Sequence, residues 1–112
     1  MTPTESTSTK LQLTSLDVLQ NAADCLRLLA HKHRLRIVQM LLQQDFSVGE
    51  LASACEIQPN VASEHLRLMQ HSGFLTSVRD GRNVYYRIAE PHLQSILTCI
   101  EGKFGVDEVT LS

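Results

Sequence analysis

The sequence predicts a mainly α-helical domain with one β-hairpin placed before its last helix. Three observations carry that class. Apolar residues recur at helical spacing in five separate stretches. Two runs rich in β-branched and aromatic residues, 74–78 and 83–88, flank Asp80-Gly81, a strong short-range hairpin signal. The chain has 112 residues and 43% hydrophobic content, enough for one modest core and not for two.

The first helix is expected over 16–29, where Leu19, Ala22, Ala23, Leu26 and Leu29 form one stripe. Thr14 and Ser15 are candidate N-caps, and Asp17 suits the positive helix end. A second helix follows Ala30, with Leu35, Ile37, Val38, Leu41 and Leu42 as its buried side. Its start is basic (Lys32, Arg34, Arg36), which opposes the helix dipole, so those charges are expected to serve elsewhere. Ser47, three residues before Glu50, has capping-box spacing for a short third helix over 48–55 that buries Leu51 and Ala52. Pro59 fits the first turn of a fourth helix, which buries Ala62, Leu66 and Met69 and stops at Gly73. Residues 79–82 form the expected hairpin turn. One of Tyr85 and Tyr86 should pack inward, because neighbours on a strand face opposite ways. Glu90-Pro91 opens a fifth helix with Leu93, Ile96, Leu97, Ile100 and Phe104 inward. The expected domain spans 14–106, between a disordered tail at 1–13, rich in Thr and Ser, and a short tail at 107–112.

Composition excludes several classes. No apolar run approaches the roughly 18 residues of a membrane span, and the N-terminus lacks the pattern of a secretory signal. Cys25, Cys55 and Cys99 are odd in number and widely spaced, neither a disulfide framework nor a zinc-finger pattern. A reduced, cytoplasmic protein is expected. No phosphate loop, metalloprotease pair or nucleophile elbow is present, so neither an enzyme nor a cofactor is expected.

Two short helices joined by a tight turn and followed by a hairpin describe a winged helix-turn-helix. The formal net charge of -2 argues against nucleic acid until it is resolved along the chain. Residues 27–87 hold eight Lys and Arg against five acids, while the remainder holds two against seven. The basic excess sits where DNA would be met, and phosphate contact needs only local charge.

On the fourth helix, positions 60, 63, 64 and 67 share a face opposite the buried positions. Gln58, Asn60, Ser63, Glu64 and Arg67 are therefore candidate base or phosphate contacts, with Val61 at the edge able to meet a thymine methyl. Glu64 can accept from cytosine; the competing reading is a surface pair with Arg67. Arg79 and Arg82 at the hairpin tip are expected on phosphate or in the minor groove, and Arg87 on the strand surface.

The ordered set Leu29-Ala30-His31-Lys32-His33-Arg34-Leu35-Arg36-Ile37-Val38, Ser47-Val48-Gly49-Glu50-Leu51-Ala52, Ser63-Glu64-His65-Leu66-Arg67, Gly73-Phe74-Leu75 and the wing 79–88 resembles the ArsR-family repressors of bacteria and archaea. The likeness covers about residues 19–104. It implies a homodimer joined through the first and last helices, which binds a double-stranded DNA operator until an inducer, a metal or another small molecule, releases it. His65 stands where the family commonly has His, as a DNA contact or as a packing residue. The chain departs from the family at Glu56, where a turn Gly is usual, and at Gln58, where a Ser cap is usual. Val61-Ala62 reverses the usual order, and an acid at Glu64 is uncommon.

The resemblance also allows the family's metal sites to be tested. The stretch Ser47-Val48-Gly49 offers no thiol, and Glu90-x-His92 matches half of a second site whose other half falls on Lys103 and Val106. The paired-thiol sensors would need Cys at Gln39 and about Gly105. No metal site is therefore expected. Cys25, His92 and Cys99 remain as candidate sensor residues on the first and last helices, against the plainer reading of each Cys as a small buried hydrophobe. A reading from a different class is a winged-helix module that binds protein and no DNA.

Overall fold

The computed structural model describes residues 10–110. The order is α1 (Leu16–Leu29), α2 (Lys32–Leu41), α3 (Val48–Cys55), α4 (Pro59–His71), β1 (Leu75–Asp80), β2 (Asn83–Ile88) and α5 (Leu93–Phe104). The expected caps form. Ser15 Oγ accepts from Val18 N, and the Ser47–Glu50 box closes in both directions, at 3.1 and 2.8 Å. His31 caps α2, its Nδ1 accepting from His33 N at 3.1 Å. α4 ends in a Schellman motif in which Gly73, at φ 93, bonds Gln70 O and Phe74 bonds Met69 O.

The core lies where α2, α3, α4, α5 and the hairpin converge. Ile37, Val38, Leu51, Leu66, Met69 and Leu93 are its most enclosed members. On α2, Met40 shares the buried side with Ile37, Val38 and Leu41, while Leu35 and Leu42 are half-buried. Two expectations are corrected at α5. Helix geometry begins at Leu93 and not at Pro91, because Pro91 and His92 form a turn in which Leu93 N donates to Glu90 O. Phe104, at the last position, is 79% exposed and lies off the core. α1 differs more: of its expected stripe only Leu29 is buried, with Leu19 and Leu26 exposed.

The hairpin pairs Leu75 with Ile88 through Asp80 with Asn83, leaving a two-residue loop of Gly81 and Arg82. The expected four-residue turn is shorter because pairing continues through Arg79–Val84 and Asp80–Asn83. Gly81, at φ 65, supplies the conformation such a loop needs at its first position. Tyr86 is the tyrosine that packs inward. Side chains moor the wing: Gln70 Nε2 donates to Ser77 Oγ at 3.0 Å, and Arg87 pairs with Asp45 at 3.1 Å. Of the expected N-terminal tail, residues 1–9 lie outside the described set, and residues 10–13 are exposed without helix or strand.

Candidate nucleic-acid interface

The turn between α3 and α4 sets the pose of α4. Glu56 sits in the left-handed region, at φ 59 and ψ 43, and it is the only described non-glycine residue with positive φ. Glu56 N reaches Ser53 O and Ile57 N reaches Ala52 O, a Schellman closure made without glycine. Gln58 then takes the N-cap of α4 with no side-chain cap bond, and Pro59 opens the helix. This turn turns the Ala62, Leu66 and Met69 side of α4 into the core. Gln58, Asn60, Val61, Glu64 and Arg67 are left exposed and Ser63 half-buried. Glu64 forms no ion pair with Arg67 among the described residues. Its carboxylate is free to act as an acceptor.

The basic residues divide into two groups. Arg34 Nη1 donates to Leu28 O at 2.8 Å in the last turn of α1, and Arg36 Nη1 to Ala54 O at 3.2 Å in the last turn of α3. Two of the three cations that oppose the dipole of α2 thus satisfy carbonyls at the negative ends of two other helices. Arg27 pairs with Asp24, and Arg87 with Asp45. Among the described residues, no ion pair or side-chain hydrogen bond engages Lys32, Arg67, Arg79 or Arg82. Arg79 and Arg82 are exposed at the hairpin tip.

His65 departs from the DNA-facing set. It is buried, and its Nδ1 accepts from Arg34 Nε at 3.0 Å, so the ring is committed to the junction of α2 and α4. This is the packing role, and the reason is its position on the core side of α4 beside Leu66. His31 and His33 lie against it, with ring centroids 4.6 Å and 5.8 Å from that of His65. Burial, then the neighbouring His31 and Arg34, hold His65 below the usual histidine range, partly offset by Glu64. Burial, then Arg34, does the same for His31. The cluster escaped sequence reasoning. Its only signal was His31-x-His33, because α2, α3 and their connections separate His65 from that pair in sequence.

The candidate sensor residues are not assembled in the single chain. Cys25 and Cys99 are free and exposed in the single chain. His92 Nδ1 meets Glu90 Oε2 at 2.7 Å on the surface, and hydrogen bonds from His92 hold the Glu90 carboxyl below its ordinary range. Cys55 is buried as expected, and burial pushes its thiol up.

An exposed polar face on the second helix of the pair, with a basic hairpin moored beside it, defines a winged-helix DNA-binding protein. A helix-turn-helix domain profile matches residues 29–78. The transcriptional repressor SmtB of Mycobacterium tuberculosis is 33% identical over 93 residues, covering 83% of this chain and 69% of that protein. The crystal structure of Mycobacterium tuberculosis Rv0081 superposes with TM-score 0.70 at 30% identity, covering 80% and 90% of the two chains. The homodimeric winged helix-turn-helix domain of Mb0332 from Mycobacterium bovis, described as a possible ArsR-family regulator, gives 0.67 at 25% identity, covering 83% and 89%. The chain belongs to the SmtB/ArsR family of winged helix-turn-helix transcriptional regulators. No described helix is long and apolar enough to cross a membrane.

Proposed function

We propose that this chain is a homodimeric, sequence-specific repressor that reads operator DNA with α4 and grips the backbone with its wing. The carrying observation is the exposed face of Gln58, Asn60, Val61, Glu64 and Arg67, with Ser63 at its margin, on a helix whose other side is locked in the core. Arg79 and Arg82 supply phosphate or minor-groove contacts without sequence preference. The domain spans 14–106 and works in the cytoplasm, where its DNA is. The second half-site comes from a second copy, joined through α1 and α5, whose Leu16, Leu19, Leu26 and Phe104 are exposed in the single chain. Mb0332, similar in fold, is described as homodimeric. Release falls to an inducer that binds two dimer conformations with unequal affinity. Cys25, Cys99 and His92 are the places for a thiol-reactive or metal signal on those two helices.

The test is binding to DNA from its own upstream region across a salt series. Replacing Arg79 and Arg82 with Ala should weaken binding to every sequence alike, whereas Asn60→Ala or Glu64→Gln should change the ranking of operator variants. Equal affinity for that DNA and for random duplex at every salt would refute specific repression. It would leave the protein-interaction module as the reading.

A further inference from the structure

We propose that His31, His33 and His65 form a binding site for a borderline divalent transition ion such as Zn2+, and that the ion competes with Arg34 for His65. One ligand nitrogen from each ring lies within 4.8 Å of the others. The rings come from two elements: His31 caps α2, His33 follows in its first turn, and His65 stands on the buried side of α4. His65 is held by packing, while His31 is exposed and His33 half-buried, free to swing onto an ion.

The donor set selects the ion. Three imidazoles with no thiol and no carboxylate suit Zn2+, Co2+, Ni2+ or Cu2+, not Mg2+ or Ca2+, and not soft thiophilic ions. Zn–N bonds of about 2.0–2.1 Å put tetrahedral ligands about 3.4 Å apart, so the cluster closes by small rotations of the two outer rings. Three protein ligands leave a fourth position for water.

Hydrogen bonding makes the site a switch. His65 Nδ1 accepts from Arg34 Nε, and His31 Nδ1 accepts from His33 N. A neutral imidazole whose Nδ1 accepts carries its proton on Nε2. An ion taking Nδ1 displaces the donor directly. An ion taking Nε2 sends the ring proton to Nδ1, which then opposes the same donor. By either route the Arg34–His65 bond and the coordinated ion exclude each other. Arg34 keeps its hold on Leu28 O, so occupancy replaces the Arg34–His65 tie between α2 and α4 with one made through the ion, and leaves the tie from α2 to α1. Two hydrogen bonds of small net worth in water give way to three coordinate bonds of the kind that fold zinc peptides. The link from this tie to operator affinity rests on the reading of α4 above; the ion site does not.

The test is a Co2+ titration of the reduced full chain without DNA, so its failure leaves operator recognition untouched. The expected result is one ion per chain, with visible ligand-field bands, no thiolate charge-transfer band, and displacement by Zn2+. His33→Gln should weaken binding at least about tenfold, and so should His31→Asn, which removes the imidazole and keeps an N-capping side chain. Arg34→Met should tighten binding, since it removes both the competing donor and a cation; a merely structural arginine would not do so. A thiolate charge-transfer band, or Co2+ affinity unchanged in His33→Gln and His31→Asn with native circular dichroism, overturns the site. Unchanged or weaker binding in a folded Arg34→Met overturns the competition.

Discussion

Glu56 shows what a single residue costs this fold. A side chain in the left-handed region loses roughly 1–2 kcal/mol to the clash of its Cβ with the backbone. Glycine relieves that clash but returns about 0.4–1 kcal/mol by loosening the unfolded chain. Glu56→Gly is therefore expected to stabilise by about 0.5–1 kcal/mol, measured as a higher urea midpoint at unchanged slope. A lower midpoint would mean that the Glu56 side chain holds the turn in a way its exposed position does not reveal. The departure was legible in the sequence as an acid where the resemblance to the family leads one to expect glycine. Its conformation was not, because the Schellman closure depends on where α3 stops. The role of His31 was equally hidden, since histidine is not among the usual N-caps and only the β-region geometry at φ -152, ψ 129 lets its ring reach back.

At the scale of elements, helix boundaries follow the sequence wherever an end signal and a stripe were both present, even in α1, whose stripe is not buried. α3 carries a Ser-Glu box and α4 a Pro start and Gly stop, and their boundaries follow those signals. α5 had Pro91 without a capping side chain, so its start slipped to Leu93. α4 begins without a side-chain cap at Gln58. Gln58→Ser should add one, and the expected gain is about 0.5–1 kcal/mol in thermal or chemical unfolding. The same change removes an amide from the DNA-facing side, so operator affinity should fall while stability rises. If both rise, Gln58 is not a contact. The exposed face of α4 could be read from periodicity, and so could the place of His65 on the buried side with Ala62, Leu66 and Met69. Its partner could not, because Arg34 arrives from α2, a contact across 31 residues.

For the whole molecule, the unfilled stripe on α1 is the main feature that periodicity alone could not interpret. Leu19 and Leu26 have helical spacing and yet stay exposed in the single chain, 47% and 54%. Apolar residues on one side of a helix that the domain itself leaves uncovered fit an interface between copies. Leu26→Asp should shift the protein from dimer to monomer in sedimentation, and should weaken operator binding far more than it disturbs the monomer fold. A dimer of unchanged strength would place the contact elsewhere.

The arginines at the start of α2 also bear on counterions. Four of the eight cations between residues 27 and 87 already serve carbonyls or carboxylates of their own chain. The other four, doubled in a dimer, are those able to displace condensed ions from a duplex. At about 0.9 per neutralised phosphate, the logarithmic salt slope of operator binding should be no steeper than about -7. A chain whose eight cations all faced DNA would reach twice that value. The protein should therefore keep more of its affinity as ionic strength rises than its basic segment suggests, and depend more on the fit of α4 to the bases.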